Sequence, residues 1–497
     1  MTLNRRKFLR NLGITGSLLT MPAAILNATP LFKKGRIDLS TITLKGKVHS
    51  NGKGIPGVQV TDGINIVLTD KHGEYSLQSN ATAEFVYISV PSGYAFPEEK
   101  GIAAFFRPLT KGNGVIKNDF SLEKLMTDDQ QHTFVVWADP QMKSKKDVEL
   151  LMSQSVPDLQ ALVKSYPKET LIHGIGCGDL VWDEFELFAD YKQAVALSGI
   201  PFFNVIGNHD MDLEARSDDG SANTFKKQFG PTYYSYNRGA IHYVVLDDVF
   251  FVGAAKSYIG YITENQLQWL EQDLANVKPG STIVLSLHIP TFTGAQRRAG
   301  KPEEIGGGTV ANRKQLYKML APYKVHIMSG HTHFNDNWED GNIMEHNHGT
   351  VCGAWWTGPV CGDGTPAGYG VYEVDGTDIK WYYKSTGLPK ETQLRIYPKG
   401  KVKDAPEEIA ANVWNWDSKW KVEWYEDGIL KGPMEHRVAY DPWAVELYAG
   451  PLLPKKHKFV EPTLNDHMFF AKPSPDAKKI TVKATDRFGN VYEETIG

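Results

Sequence analysis

Six short apolar runs recur through the middle of the chain, and polar or glycine-rich residues follow each of them. The runs span 134–138, 171–175, 202–206, 243–246, 283–287 and 325–328. Near-continuous apolar runs of this length are typical of strands that are buried on both faces of a sheet. Stretches with helical length and periodicity lie between them, at 147–165, 182–198, 263–276 and 313–320. The pattern predicts an α/β domain in which helices flank layered sheets.

Runs that alternate between apolar and polar residues lie on both sides of this α/β region. They occupy roughly 41–122, and they return after about residue 393 and end in the run 480–490. Alternation between turn residues is typical of small β-sheet domains. We therefore expect four parts, which are a signal peptide and linker at 1–35, a β-sandwich at 36–125, the α/β domain at 126–392 and a β-rich domain at 393–497.

One run in the first β-region has a recognisable pattern. The residues at 69–77, with Gly73 at their centre, resemble the turn-and-strand signature of carboxypeptidase-regulatory-like, immunoglobulin-type modules. In that resemblance Gly73 turns the chain. Because no cluster of titratable residues accompanies the run, a structural or binding role is expected for this domain.

The first thirty residues have the composition of a targeting segment. Basic residues around Arg5 and Arg6 are followed by a modest apolar stretch over 12–26 and by small residues near Ala28. The arginine pair resembles a twin-arginine signal, which implies export to the periplasm or cell envelope. Glycines and a proline interrupt the apolar stretch, which is shorter than the roughly 20 residues of a spanning helix, so no permanent anchor is expected. The alternative is a basic, frayed start with no role in export.

Length, charge and cysteine content narrow the classes of function. A chain of 497 residues exceeds what one hydrophobic core normally supports, which agrees with several domains. The formal net charge of −4 and the scattered Lys and Arg residues give no electrostatic footprint for nucleic acid. Either Cys352 and Cys361 form one bridge, or all three cysteines, with Cys177, are small buried apolar residues. The oligomeric state cannot be read from these features.

Polar side chains stand where five of the predicted strands end. Open α/β sheets place their active sites at the carboxyl ends of their strands. A single Asp or His in such a place is commonly a turn former or a structural residue, but five groups in one domain indicate a shared site. Their carboxylates, imidazoles and amide oxygens suit divalent ions such as Mn, Fe and Zn. The residues are Asp139 and Gln141, Asp179 and Asp183, Asn208 and His209, His288, and His331 and His333.

In order and residue type these segments match D-x-[HQ], G-D-x-x-x-D, G-N-H-[DE], H and G-H-x-H. The region thereby resembles the calcineurin-like metallophosphoesterase superfamily, and the resemblance implies its layered fold and two divalent metal ions. Gln141 stands where the pattern more often has His, so Mn, Fe, Zn and Mg all remain possible. The implied ligands are Asp139, Gln141 and His333 for one ion, Asn208, His288 and His331 for the other, and Asp179 as the bridge.

The resemblance also implies a mechanism. Two ions about 3.5–4 Å apart would activate a bridging hydroxide as the nucleophile and neutralise charge on the phosphoryl oxygens. His209 would face the substrate and stabilise the transition state or protonate the leaving oxygen, and Asp183 would orient its imidazole. Asp183 follows Asp179 by about one helical turn, so both carboxylates can face one site if a helix begins there. The alternative for Asp183 is a charge that stabilises the start of a helix.

Loops between the motifs supply candidates for substrate contact. Arg297 and Arg298 lie in a glycine-flanked loop, where they either clamp a phosphate or are solvated. Trp355 and Trp356 follow the last motif, and they either stack on a base, sugar or aglycone or belong to the core.

A second group of histidines follows the last motif. His346 and His348, near Glu345, have the residue types of a further metal set. We expect them instead to lie on a strand beyond the site.

The function favoured by these features is metal-dependent hydrolysis of a phosphoester outside the cytoplasm. A phosphodiester or pyrophosphate is slightly favoured over a monoester, because Gln at the position of Gln141 occurs in relatives that act on such bonds. The expected partners are phosphorylated small molecules, glycans or lipid head groups. One alternative is a catalytically inactive cell-envelope or carbohydrate-binding scaffold, which the seven ligand-type residues oppose. The other is a protein serine/threonine phosphatase, which fits poorly with export.

Overall fold

The computed structural model describes residues 41–110, 114–253, 257–302, 308–451, 453 and 456–497. The predicted signal segment lies outside the described residues, and its role in export stays a prediction. Within the described ranges, none of the helices is both long and apolar enough to cross a bilayer.

Short strands form the first part of the chain. They make two small sheets, one in the order β10-β1-β11 with β2 and β5 also paired to β1, and one in the order β4-β3-β6-β9. Gly73 turns the chain into β5 with a φ of 77°, as its resemblance implied. The strands are β1 (Thr41–Ser50), β2 (Lys53–Gly54), β3 (Gln59–Thr61), β4 (Ile66–Leu68), β5 (Glu74–Asn80), β6 (Phe85–Ile88), β7 (Glu98–Glu99), β8 (Ile102–Ala103), β9 (Phe106–Pro108), β10 (Gly114–Lys117) and β11 (Phe120–Ser121).

Two strands of this first part extend a sheet of the α/β domain, which differs from a separate β-sandwich. Ile102 of β8 pairs in parallel with Phe202 of β14, and β7 pairs with β8. An uncovered sheet edge presents unpaired backbone groups, and the added strands pair with that edge. The first β-region is therefore joined to the α/β domain by backbone hydrogen bonds.

The α/β domain is built on two sheets. The first has the order β24-β23-β12-β13-β14-β8-β7, and the second has the order β15-β16-β19-β20-β22-β21. A separate hairpin, β17-β18, lies between β16 and β19 of the second sheet in the chain. The strands are β12 (Gln131–Trp137), β13 (Leu171–Cys177), β14 (Phe202–Val205), β15 (Tyr234–Arg238), β16 (Ile241–Val245), β17 (Val249–Phe251), β18 (Tyr258–Gly260), β19 (Thr282–Ser286), β20 (Lys324–Ser329), β21 (Asp336–Asp340), β22 (Ile343–Asn347), β23 (Gly368–Asp375) and β24 (Asp378–Ser385).

Alternating side chains of these strands pack in two directions. Phe134 and Val136 of β12 belong to the core between the two sheets, whereas Val135 and Trp137 pack with the helices outside. The second sheet likewise places Ile283 of β19 in a core with the outer helix that carries Trp269. Both faces of each central strand are therefore buried, which explains their near-continuous apolar sequences. The predicted layered α/β fold is confirmed.

Helices lie at the four predicted places, and three further short helices, Asp218–Ser221, Asn223–Phe229 and Ala295–Arg298, were not predicted. They are α1 (Lys145–Leu150), a π-helical turn (Leu151–Ser155), α2 (Val156–Ser165), a 3-10 turn (Phe185–Leu187), α3 (Phe188–Ser198), α4 (Asp218–Ser221), α5 (Asn223–Phe229), α6 (Glu264–Leu274), α7 (Ala295–Arg298) and α8 (Arg313–Leu320). One start differs from the prediction, because the helix expected from residue 182 begins at Phe188. The residues before it form a loop in which Asp183 has a φ of 62°.

The last part of the chain is β-rich, as predicted, with one helix. Its sheets have the orders β25-β26-β30-β29 and β28-β27-β31-β32. Asp441 caps the helix by accepting a hydrogen bond from the backbone N–H of Ala444 at 2.8 Å, and Pro442 follows it. The elements are β25 (Arg395–Tyr397), β26 (Ile409–Asn412), β27 (Lys421–Glu426), β28 (Ile429–Pro433), β29 (Glu435–Tyr440), α9 (Pro442–Tyr448), β30 (Leu464–Ala471), β31 (Ile480–Thr485) and β32 (Val491–Ile496).

Candidate metal centre

The five predicted motifs follow the ends of β12, β13, β14, β19 and β20. Strands β12, β13 and β14 are parallel to one another in the first sheet, and β19 and β20 are parallel in the second. Their carboxyl ends therefore meet at one rim of the layered domain. The side chains that the sequence placed in one site do lie together there.

Backbone strain is concentrated at this rim. Most of the described non-glycine residues with left-handed φ are residues that the sequence analysis named. A left-handed conformation costs an L-residue free energy, so it persists where surrounding contacts enforce it. The turns redirect the side chains that follow each strand. The named residues are Asp139 (φ 49°), Gln141 (40°), Asp179 (49°), Asp183 (62°), His331 (69°), His333 (55°), Trp355 (49°) and Trp356 (57°).

The first candidate ligand set is Asp139, Gln141 and His333. Nε2 of His333 lies 3.4 Å from Oδ1 of Asp139. The amide of Gln141 donates from Nε2 to Oδ2 of Asp179 at 3.2 Å, which orients the side chain. Oδ1 of Asp139 and Oε1 of Gln141 are buried, and no described residue offers either of them a hydrogen bond. Two buried oxygens without donors fit a site for a cation.

The second candidate set surrounds Asp179. Nε2 of His288 lies 3.3 Å from Oδ1 of Asp179 and 3.1 Å from Oδ1 of Asn208. Ligand atoms of Asp179, His288 and His331 all lie within 4.8 Å of one another. Because Gln141 of the first set donates to Asp179, the two sets meet at this carboxylate. The donor chemistry fits borderline divalent ions.

The carboxylates of the rim favour positive charge on His288 and His333, whereas burial lowers the pKa of His331 to about 4. Burial lowers the pKa of His288, but the Asp179 carboxylate beside it has the larger combined effect and raises that pKa to about 10. Burial also lowers the pKa of His333, but the Asp139 carboxylate raises it, and the net result is a rise to about 10. Burial raises the pKa of Asp179, yet the imidazoles of His288 and His209 hold it below its usual value. The carboxylates that raise these pKa values would attract a divalent ion at the same positions.

Supporting residues orient the ligands. Nδ1 of His288 lies 3.0 Å from the carbonyl oxygen of Cys177, which can hold its proton and leave Nε2 for an ion. Asp248, which received no role from the sequence, accepts from the backbone N–H of His288 at 3.1 Å. Asp210 accepts from the N–H groups of Gly207 and Val181 and so ties two motif loops together. Both residues had a sequence feature that could have identified them. Asp210 is the last residue of the third motif, and Asp248 follows the end of a predicted strand.

Glycines allow the loops to approach closely. A Cβ on Gly178 would lie 2.3 Å from Nδ1 of His288, and one on Gly207 would lie 2.0 Å from the backbone nitrogen of Asp179. A Cβ on Gly330 would lie 2.5 Å from Oδ2 of Asp139. These distances are shorter than any van der Waals contact, so the three positions require glycine.

His209 and Asp183 form a pair at the open side of the rim. Nδ1 of His209 lies 2.8 Å from Oδ1 of Asp183, and the two side chains are 23% and 19% exposed. The backbone N–H of His209 donates to Oδ1 of Asp179 at 2.8 Å. Burial lowers the pKa of His209, but Asp179 and Asp183 more than offset it and the pKa is raised. These contacts hold the imidazole of His209 beside the candidate metal ligands. Its Nε2 lies on the ring edge opposite to Asp183.

The structural route to this pair differs from the prediction. Asp183 was expected to reach the site from the first turn of a helix, or else to stabilise that helix start. The helix begins at Phe188, and Asp183 instead lies in a left-handed turn whose backbone N–H donates to the carbonyl of His209 at 3.1 Å. A loop contact, which sequence spacing alone does not specify, orients the carboxylate.

The predicted arginine clamp is not supported by the structure. The buried guanidinium of Arg298 donates to Asp336 at 2.9 Å and to Asp466 at 3.0 Å, and Arg297 also pairs with Asp466. Asp466 lies on β30, so the arginines join the α/β domain to the last β-domain. Carboxylates already neutralise the charge that a phosphate would need.

The two predicted tryptophans have different surroundings. The ring of Trp355 stacks on His333 with centroids 4.0 Å apart. The indole N–H of Trp356 donates to the carbonyl of Pro140 at 2.8 Å, and its ring packs against the core beneath the helices. Trp355 therefore borders the site, whereas Trp356 supports the first motif loop.

The other histidines and the cysteines have core positions. His346 and His348 follow or lie on β22, and their ring nitrogens are paired with His326, Asn337, Ser329 and Tyr372. They belong to the interior of the second sheet, as expected, and their ring nitrogens take part in these hydrogen bonds. All three cysteines are buried and free, so the possible bridge between Cys352 and Cys361 is absent.

Several known phosphatases are similar to parts of this chain. Purple acid phosphatase 15 of Arabidopsis thaliana is 27% identical over 195 residues, which are 37% of this chain and 32% of that protein. Serine/threonine-protein phosphatase CPPED1 of Bos taurus is 26% identical over 189 residues, 36% of this chain and 57% of that protein. A crystal structure of a dimetal phosphatase from Danio rerio is 14% identical, covers 52% of this chain and 96% of that one, and has a TM-score of 0.36. The chain thus spans about a third of the length of the Arabidopsis relative and somewhat over half of the length of the bovine relative.

Family models account for nearly the whole described chain. The N terminal of calcineurin-like phosphoesterase matches residues 42–125, calcineurin-like phosphoesterase itself matches 132–335, and its C terminal matches 345–492. The second match contains all five motifs, and the other two contain the flanking β-regions. The chain therefore belongs to the calcineurin-like phosphoesterase family.

Proposed function

We propose that this protein is an exported phosphoesterase with a dinuclear metal centre. Asp139, Gln141 and His333 would hold one divalent ion, and Asn208, His288 and His331 the other, with Asp179 shared between them. The observation that carries this proposal is the convergence of seven ligand-type side chains, among which buried oxygens of Asp139 and Gln141 have no hydrogen-bond donor in the described chain. Mn, Fe, Zn and Mg all suit such a set. The amide oxygen of Gln141 is a harder ligand than an imidazole at this position would be.

Each group would have a separate task in hydrolysis. Bound ions would supply Lewis acidity at the phosphoryl group and a nucleophile derived from water. His209 would direct Nε2 to the leaving oxygen, where it can donate a hydrogen bond or a proton. Asp183 fixes the imidazole from its opposite edge at 2.8 Å. The division between ligands and an imidazole held beside them suits in-line displacement at phosphorus.

The proposed substrates are phosphodiesters or pyrophosphates before monoesters. This order rests on Gln141, which occupies a position where relatives acting on such bonds also carry Gln. Small phosphorylated molecules, glycans and lipid head groups are the proposed substrate classes. The name of the bovine relative favours one competing substrate, a protein phosphoserine or phosphothreonine, which the same assay can test.

The test is a panel of substrates assayed with each metal. The purified, metal-free chain is reloaded separately with Mn, Zn, Mg and Fe and given a phosphomonoester, a phosphodiester, a pyrophosphate and a phosphoserine peptide. We expect metal-dependent hydrolysis with the diester or pyrophosphate fastest. Turnover of the phosphopeptide alone would replace this substrate class by the protein phosphatase, and no turnover with any metal would favour the inactive scaffold.

Export is tested independently of catalysis. The basic segment around Arg5 and Arg6 supports a twin-arginine route. Changing both residues to Lys should retain the protein in the cytoplasm of a host that has this route, as measured by cell fractionation. Unchanged export of the double variant would contradict the proposal.

A further inference from the structure

Four aromatic rings form a continuous surface beside the candidate metal centre. We call this surface, formed by Trp182, Trp355, His457 and Phe459, the aromatic wall. Trp182 lies 5.1 Å from His457 and 5.9 Å from Phe459 between ring centroids. Trp355 lies 5.2 Å from Phe459 and 6.5 Å from Trp182. Each ring contacts at least two others, so the wall is one surface and not a set of scattered side chains.

The wall is in direct contact with the residues proposed to act. Trp182 meets His209 with centroids 5.5 Å apart, and Trp355 stacks on His333 at 4.0 Å and 16°. His209 is the group that would serve the leaving oxygen. A substrate held between the ions and His209 would therefore extend its leaving group along this wall.

Half of the wall comes from the last part of the chain. His457 and Phe459 lie in the loop between α9 and β30, whereas Trp182 lies within the second motif and Trp355 follows the last one. Lys456 in the same loop pairs with Asp147, a buried residue of α1. Asp147 also accepts from the backbone N–H of Lys143 at 3.0 Å. The loop is thus tied to the segment that follows the first metal motif.

The wall is only partly covered. Phe459 is 54% exposed, although large aromatic side chains are usually buried. Its ring meets Trp182 and Trp355 edge-on, at interplanar angles of 81° and 75°. An exposed phenyl ring held rigidly by two tryptophans offers a flat apolar surface to a ligand.

Polar groups border this surface. The ammonium of Lys143 lies 4.3 Å from the centroid of Trp182. Nε2 of His457 is buried and has no hydrogen-bond partner among the described residues. The nearby cation favours a π-electron-rich ring over an alkyl chain, because a ring gains stacking and cation–π attraction as well as burial.

We propose that the aromatic wall binds a flat aromatic ring on the leaving group of the phosphoester. This inference rests on the proposed phosphoesterase function and names the substrate class for that site. The last domain completes the cleft by supplying Phe459 and His457. The same metal centre hydrolyses substrates that lack an aromatic ring, but the protein binds them more weakly.

Three substrates with similar ester bonds test the proposal. They are 2-phenylethyl phosphate, octyl phosphate and ethyl phosphate, with their methyl diesters, assayed on the metal-loaded enzyme. We expect kcat/KM for the phenylethyl ester to exceed that for the ethyl ester by about tenfold, through KM, as stacking on one aromatic side chain typically gives. Phe459→Ala should remove most of this preference by raising KM for the phenylethyl ester, whereas Leu430→Ala should keep both the preference and the turnover of ethyl esters.

The matched control is Leu430→Ala, since Leu430 is a similarly exposed apolar residue of the same domain, 51% exposed, and lies on β28 and not in the loop that carries Phe459. A binding assay of 2-phenylethanol against ethanol, read by calorimetry on the metal-free chain, gives a second readout that needs no turnover. Equal kcat/KM for the three esters, or a preference that survives in Phe459→Ala, would overturn the aromatic-ring proposal. Octyl esters as the best substrates would show an alkyl site instead. Absence of hydrolysis for every ester would refute the phosphoesterase function itself, a separate result.

Discussion

Two histidine clusters lie close together along the chain and differ in what surrounds them. His288, His331 and His333 lie at the rim, where carboxylates of Asp139 and Asp179 approach their ring nitrogens. The other cluster, His326, His346 and His348, belongs to β20, β22 and the residue after it. Both clusters are largely buried, so burial alone does not distinguish a ligand from a core residue.

Hydrogen bonding separates the two clusters. In the strand cluster, Nε2 of His346 meets Nδ1 of His326 at 3.0 Å, and His348 bonds Tyr372 at 2.7 Å and Ser329 at 2.9 Å. Burial lowers the pKa of His348 to about 4, whereas the carboxylates raise that of His333 to about 10. Imidazoles that hydrogen-bond one another and neutral groups fill a core, and imidazoles that face buried carboxylates make a candidate cation site.

The largest expected difference in turnover is between two variants, each of which replaces one histidine of one cluster by Ala. His331→Ala should lower turnover by about 10³-fold, because the charge stabilisation at the reacting phosphorus depends on the bound ion. His346→Ala should keep its metal and its turnover but lose about 2 kcal/mol of unfolding free energy, through a cavity and broken hydrogen bonds. Metal analysis, initial rates and urea unfolding measure both. Loss of metal in His346→Ala would break the distinction between the clusters.

A somewhat smaller effect is expected at His209, which borders the rim cluster without being a ligand. His209→Ala should reduce kcat by about 10²-fold while the metal content stays at the wild-type level. Steady-state kinetics on the metal-loaded variant measure the change. Unchanged kcat would remove His209 from the mechanism.

A further prediction concerns the support beneath His288. Gly178→Ala should weaken metal binding by about 10-fold to 100-fold, since the added Cβ would collide with the imidazole. Gly199→Ala is the control, because Gly199 has a similar φ of 78° and open space around it. Metal titration compares the two variants. Equal metal affinities of the two variants would contradict a role for the contact between Gly178 and His288.

The smallest expected effect lies at Glu345, which is adjacent to the strand cluster. Its carboxylate accepts from Thr291 at 2.8 Å and from Ser329 at 3.0 Å, and burial raises its pKa to about 7 from 4.5. The folded state therefore keeps a proton that the unfolded chain releases, so the stability it contributes is lost as pH rises from about 4.5 through 7.

Glu345→Gln removes this titration. Wild type should lose on the order of 2 kcal/mol relative to the variant between pH 5 and pH 8. Urea unfolding of both metal-free proteins across that range measures the difference. Parallel pH profiles would mean that Glu345 is ionised throughout.

The sequence predicted the strands and the gathering of the motif side chains at one rim because both follow from local patterns, whereas the ligand roles came from the family resemblance and stay a prediction. An apolar run buried on both faces specifies a central strand, and the residues after Trp137 or Cys177 must emerge at the rim. Asp183 was assigned the correct partner, but the helix that was to carry it there does not begin until Phe188. A left-handed turn at a non-glycine residue leaves no periodic signal.

Contacts between distant segments account for the other differences. Arg298 pairs with Asp466, which is 168 residues away, and no local pattern connects them. Trp182 and Phe459 meet for the same reason, and neither was selected as a substrate contact from the sequence. Asp248 supports His288 from a loop 40 residues earlier. Such residues become visible when the tertiary fold brings their elements together.

The most direct test of the account is the metal content of the chain. After equilibration with Mn, Fe or Zn and removal of free ions, the wild-type protein should hold about two ions per chain. Asp179→Asn should lower that number to about one or less, because both ligand sets meet at this carboxylate. A wild-type protein that binds at most one ion, or an Asp179→Asn variant that keeps two, would contradict the dinuclear centre.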